Sequence, residues 1–208
     1  MILAAIGAAG CGGDASSDAS TSNMVALAPG DAASDLSAWI GTYSSRAGHA
    51  ACASDDGKAV FDVRAGDDGA LHFFGGDGTD VAPFELVSDV SALAAKDPST
   101  GAVLDSHVRI ALGGNPTGQD CHYRFRLVKG ETAVAESVGD GCEWDGQDGA
   151  GHSVHYVQAI TRETLELVDD GIHATIAAGS ATIDIWSADR AQHLASCAYE
   201  QDVQTTRR

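Results

Sequence analysis

The chain has 208 residues and carries 12 Lys and Arg against 30 Asp and Glu, a formal charge of −18 at neutral pH. Phosphate backbones are gripped by clustered basic side chains, so a nucleic-acid partner is disfavoured. The same balance argues against attraction of the folded surface to anionic lipid headgroups.

The length suits one domain. Residues 36–205 form the expected folded part, and a chain of that size buries roughly 70% of its unfolded surface. No run beyond residue 35 approaches the roughly 18–20 apolar residues that span a bilayer as a helix, so this part is expected to be soluble.

In chain order, the first feature is the apolar run Ile2–Ala9, too short to span a membrane but suited to the tail of a signal-peptide hydrophobic region. Ala8, Ala9 and Gly10 precede Cys11. A processing enzyme that threads the chain through a narrow site needs small side chains there. The arrangement resembles the lipobox of bacterial lipoproteins, in which the cysteine thiol receives diacylglycerol and becomes the new N-terminus; it implies lipidation at Cys11. Ala8 stands where the lipobox usually has Leu, and no Lys or Arg precedes Cys11, so the true start is expected upstream. From Gly12 to Ser34 the chain has no aromatic, Lys or Arg residue and many Gly, Ser, Ala and Asp. Such a segment buries too little apolar surface to offset its ordering entropy, and it reads as a disordered tether. The expected division is residues 1–10 as a partial signal peptide, 11–35 as a lipidated flexible tether, and 36–205 as a β-barrel domain.

The folded part opens with "DLSAWIGTYSS" as a first strand. Asp-Asp-Gly then occurs at 55–57, 67–69 and 169–171, a hairpin signal because Asp-Gly supplies positive φ angles. Helical spacing is confined to Val90–Lys96, which runs into the helix-ending Asp97-Pro98. Period-two alternation follows in "HVRIAL" (Val108, Ile110, Leu112) and "CHYRFRL" (Tyr123, Phe125, Leu127 opposite His122, Arg124, Arg126). It recurs in "TLEL" (Leu165, Leu167), "GIHATIA" (Ile172, Ala174, Ile176) and "ATIDIW" (Ile183, Ile185). Alternation of this kind marks half-buried antiparallel strands. The count is eight to ten strands with at most one short helix. That predicts an all-β, antiparallel meandering barrel, since closure removes the exposed edges that so many strands would leave.

Four cysteines fall in this part: Cys52, Cys121, Cys142 and Cys197, with no CxxC pair among them. In an exported protein the simplest use of them is two disulfides. Three connectivities are possible; a hairpin turning at Lys129-Gly130, which brings Cys121 within a few positions of Cys142, favours Cys121–Cys142, and Cys52–Cys197 would then join the two ends of the domain.

Chemistry is sparser. Asp140, Glu143, Asp145 and Asp148 are a weak calcium candidate that lacks the one-three-five-Gly spacing of a calcium loop. His152 and His155 would share a face on a helix, but on the expected strand an odd offset sends them to opposite faces. There is no GxSxG elbow, HExxH helix or phosphate-binding Gly loop. Asp, His and Ser are plentiful without specifying a triad. No cofactor is expected.

Trp39, Gly41, Thr42 and Tyr43 resemble the "W-x-G-T-W/Y" opening of lipocalin-like barrels; this implies that Trp39, Gly41 and Tyr43 pack the closed end. Cys121–Phe125, then Gly130-Glu131-Thr132-Ala133 and Cys142, resemble a "C-x-Y/F-x-F … G-x-T-A … C" layout. It belongs to uncharacterised lipoproteins of soil-dwelling Gram-negative predatory bacteria, and it implies fold and location, not chemistry. The combined expectation is an exported, lipid-anchored envelope protein, at the outer membrane rather than the inner, with a binding or interaction role. Its partner would be a small hydrophobic ligand or an envelope protein, with membrane contact through the lipid alone. A lipocalin-like ligand binder is the sharper form of this reading, and an atypical hydrolase is the alternative.

Overall fold

The computed structural model describes residues 36–93, 103–128, 133–137, 140–148, 151–160, 162–176 and 181–208. Cys11, the leader, the tether and the Lys129-Gly130 turn lie outside the described residues. A single 3-10 turn, Leu36–Ala38, leads into β1 (Gly41–Ser54), β2 (Ala59–Ala65), β3 (Leu71–Gly75), β4 (Asp80–Leu93), β5 (Val103–Leu112), β6 (Asn115–Leu127) and β7 (Val134–Ser137). Then come β8 (Asp140–Gln147), β9 (Ser153–Ile160), β10 (Glu163–Val168), β11 (Gly171–Ile176), β12 (Ala181–Ser187) and β13 (His193–Arg207). Every pairing is antiparallel.

The fold is all-β and barrel-like. Eight strands close a ring in the order β1, β4, β5, β6, β7, β10, β11, β13 and back to β1. The remaining five form two leaves that continue the long strands beyond the ring: β2 and β3 between β1 and β4, and β12, β9 and β8 beside β13. The described residues thus hold thirteen strands rather than eight to ten. The surplus escapes a periodicity reading because the leaf strands bury little: β2 buries Val63 alone among seven residues, and β8 reads as the acidic run "DGCEWDGQ".

Strand length makes the forks. β1 pairs through Gly41–Ser44 with β4, then through Ala50–Ala53 with β2. Where β4 leaves, the Leu86 amide donates to Ser45 Oγ at 2.9 Å, so the fork leaves that donor satisfied. β13 divides likewise, pairing with β12 through its first half and with β11 through its second.

The expected helix at Val90–Lys96 is not formed over its described part. Val90–Leu93 belong to β4 and pair with Val103–Ser106 of β5; residues 94–96 lie outside the described residues. In this segment the ladder to β5 satisfies backbone groups that a short isolated helix would leave marginal. Turn chemistry holds more closely. Gly57 (φ 77°) and Gly69 (φ 78°) take the left-handed conformation in the first two Asp-Asp-Gly turns. In the third it falls on Asp169 (φ 54°). Gly171 serves another purpose: a Cβ there would lie 2.4 Å from the Thr205 carbonyl oxygen, so β13 can pass only over a glycine.

Side chains sort cleanly across the wall. Tyr123, Phe125 and Leu127 of β6 are buried in the ring with Leu104, Leu165, Ile172 and Val203, while His122, Arg124, Glu166 and Asp202 face out. An apolar inside and a charged outside is the reverse of a lipid-facing barrel. Among the described residues no helix is long and apolar enough to cross a membrane. β13 runs on to Arg207, past the expected domain end at 205.

Two disulfides staple the barrel. Cys121 of β6 bonds Cys142 of β8 (Cα–Cα 5.2 Å), and Cys52 of β1 bonds Cys197 of β13 (Cα–Cα 5.6 Å). The first fastens the outer strand of one leaf back to the ring, where the two strands share no ladder. Their sequence separations are 21 and 145 residues. Loop-closure entropy therefore predicts that Cys121→Ser with Cys142→Ser lowers unfolding free energy by about 3 kcal/mol, and Cys52→Ser with Cys197→Ser by about 5 kcal/mol. Denaturant titration of both double variants against the oxidised parent reads the difference; equal losses would contradict it.

Candidate functional site

The ring encloses a cavity of about 70 Å³. Most of its wall is aliphatic or aromatic, from Leu86 and Val90 of β4 round to Ile172 and Ile176 of β11. The polar side chains are Ser88 of β4, Ser106 of β5, and Gln158, Glu163, Tyr199, Gln201 and Thr205 of β9, β10 and β13, with Tyr123 of β6 donating to Gln158 Oε1 at 3.4 Å. Tyr199 donates its hydroxyl hydrogen to Gln201 Oε1. The lining holds one carboxyl and no Lys, Arg or His among the described residues.

That carboxyl is Glu163, only 6% exposed. Its amide is held by Ser137 Oγ at 2.7 Å, which fixes the start of β10 against β7. Its Oε2 is buried and has no hydrogen-bond partner among the described residues. Burial pushes the carboxyl up to about 8, so at neutral pH it is mostly the uncharged acid. Tyr199 is pushed up as well, by burial first and then by the negative charge of Glu163. Buried carboxyls without a partner are costly, and such groups concentrate at functional sites.

Neither residue stands out by composition or motif. Glu163 is reachable by parity: if Leu165 and Leu167 face inward, so does the residue two before Leu165. β13 escapes altogether because its inward set, Cys197, Tyr199, Gln201, Val203 and Thr205, is interrupted by polar residues. Of these, Tyr199, Gln201 and Thr205 line the cavity.

The residues expected at the closed end sit together. Trp39 and Tyr43 are both 0% exposed, and the Tyr43 hydroxyl donates to the Trp39 carbonyl at 2.9 Å. Arg207, on the last strand, donates to the Tyr43 hydroxyl at 2.9 Å and to the Ala38 carbonyl, with its guanidinium over the Tyr43 ring. A Cβ at Gly41 would lie 3.2 Å from Arg207 Nε, so the glycine leaves room for that arginine.

The acidic candidates are engaged otherwise. Glu143 and Asp145 bracket His155, at 3.2 Å from Nε2 and 2.8 Å from Nδ1, and Arg190 reaches Glu143 at 3.1 Å. Asp148 caps the next turn, accepting from the His152 amide at 2.8 Å with the imidazole 3.0 Å away. Asp140 is the first residue of β8. Among the described residues no three His, Cys, Asp or Glu side chains converge as metal ligands would. His152 lies exposed in the turn while His155, on β9, is 2% exposed. Pairing with carboxylates is the common state of the histidines here: His72 lies between Asp80 (3.0 Å) and Asp68 (3.1 Å), and both hold its pKa up.

One Ser, His and Asp do meet. Ser196, His193 and Asp184 cluster on the outside of β12 and β13, with Nε2 of His193 3.0 Å from Ser196 Oγ and 3.4 Å from Asp184 Oδ1. A triad uses one ring nitrogen for the nucleophile and the other for the carboxylate. Here a single nitrogen faces both, and Ser196 also donates directly to Asp184. This arrangement cannot relay a proton from the serine.

Searches of protein families, of curated proteins and of solved structures find nothing that matches this chain.

The buried acid has a measurable signature. Its pKa stands above the unfolded value of 4.5, so the unfolded chain loses this proton first, and stability declines from pH 4.5 up to about 8. Glu163→Gln keeps the shape without the titration. It should match the parent near pH 4.5 and exceed it at pH 8 and above by roughly 3–5 kcal/mol, read as unfolding free energy against pH. A constant difference across that range would contradict the assignment.

Proposed function

We propose that this is a binding protein of the cell envelope that holds a small apolar ligand inside its barrel and is tethered through lipid on Cys11. The observation that carries the binding part is the cavity. It is apolar over most of its wall, with a smaller set of polar groups most of which stand on β9, β10 and β13, the composition of sites that bury a ligand and orient it by one end. At about 70 Å³ it suits a slender molecule with a short chain rather than a broad ring system. The tether and the location rest on the small residues before Cys11 and on the polar spacer after it. Two disulfides fit an oxidising compartment.

Binding is tested with neutral straight-chain alcohols, from butanol to octanol, by calorimetry on the full chain. Saturable binding that strengthens with chain length is expected. Ala174→Phe, which fills the cavity from β11, should abolish it while the circular dichroism of the sheet is retained. Absence of binding throughout the series would overturn the reading. For location, mass spectrometry of protein extracted from membranes should find diacylglycerol on an N-terminal Cys11, and an unmodified chain in the soluble fraction would refute the anchor.

A further inference from the structure

Resting on that reading, we infer that the ligand is an apolar amine, its alkyl part in the cavity and its ammonium paired with the Glu163 carboxylate. Four observations converge. Glu163 Oε2 is buried in the cavity wall and unpartnered among the described residues, so an acceptor stands ready for a donor that the chain itself does not supply. Other polar groups of the wall are already engaged: Tyr199 with Gln201, Tyr123 with Gln158, and Thr205 with the Ile172 carbonyl. The lining has no Lys, Arg or His among the described residues, so a carboxylate or phosphate ligand would meet no counter-charge and would face Glu163. Finally, the −18 charge of the chain raises the local concentration of cations over anions.

The chemistry is an acid–base balance with no covalent step. Below pH 8 the free site holds a carboxylic acid, and the amine arrives as an ammonium ion. Pairing them as ammonium and carboxylate releases one proton from Glu163 to solvent. The charge-assisted hydrogen bond then forms away from water, where it is strongest, and satisfies the orphaned oxygen. The titratable groups lining the cavity are Glu163 from β10, Tyr199 from β13 and Tyr123 from β6; Cys121 is in a disulfide. Burial and the Glu163 charge push Tyr199 upward, so the tyrosine stays neutral and Glu163 is the group that yields the proton.

The test compares n-alkylamines, n-alkanols and n-alkanoates of equal chain length, by calorimetry on the full chain in buffers of different ionisation enthalpy. Amines should bind about ten- to a hundredfold tighter than the matching alcohols, and alkanoates more weakly than either. Near pH 6 amine binding should release close to one proton, and above the Glu163 pKa of about 8 it should release none, with affinity rising between the two. Glu163→Gln should erase the amine preference and the proton release, and retention of the sheet's circular dichroism shows that the variant is folded. Alcohols that bind as well as amines, or amine binding without proton release at pH 6, would overturn the amine assignment while leaving the cavity-binding reading standing. Failure of all three series would overturn both.

Discussion

The pairing of the first strand with the last is the contact on which everything else depends. β1 and β13 run together from Tyr43 opposite Arg207 to Ser54 opposite Cys197, and this ladder alone turns a curved sheet into a ring. Each end of the seam is fixed by a different interaction. At the Tyr43 end Arg207 reaches the Ala38 carbonyl and the Tyr43 hydroxyl, and at the leaf end Cys52 is bonded to Cys197. The partners are separated by almost the whole domain, so forming the seam costs loop-closure entropy that only the finished interior recovers. Gly171 belongs to the same constraint, because a Cβ at that one position would meet the Thr205 carbonyl oxygen of β13.

Once the ring is closed, the interior must be filled or left open, and both happen. Trp39 and Tyr43 are wholly buried at one end. Away from it the wall turns mixed, and a carboxyl is carried on β10 where an aliphatic side chain would pack more favourably. A buried acid with an unpartnered oxygen lowers stability at neutral pH, since the unfolded chain ionises freely and the folded one does not. The two disulfides and the long seam supply the reserve that lets such a group persist. Sites that hold a ligand often carry stability costs of this kind.

The outside of the barrel follows a different logic. Its carboxylates and histidines are paired across neighbouring strands and turns: Asp145 and Glu143 on His155, Asp68 and Asp80 on His72, Asp148 on His152. An acidic cluster that reads as a cation site in one dimension becomes, on adjacent strands, a set of cross-strand pairs. The period of two places Glu143 and Asp145 on one face of β8, and His155 of β9 lies opposite Asp145 on that same face.

Part of this architecture is legible in the amino-acid sequence alone. Alternation in "CHYRFRL" and "GIHATIA" determines which side chains line the interior, because strand geometry sends alternate residues to opposite faces whatever the neighbours are. The Asp-Asp-Gly turns determine three reversals, since only a few residue types tolerate positive φ. The stretch Val90–Leu93 shows where local spacing misleads: a few apolar residues fit a helix or a strand equally, and the ladder to β5 decides between them. Which strands fork, where β13 closes the ring and that Glu163 Oε2 is left without a partner among the described residues are decided by tertiary structure alone. These depend on what lies across a strand rather than along it. Strand parity by itself puts Glu163 on the inward face; only closure of the ring removes the water that would otherwise solvate it.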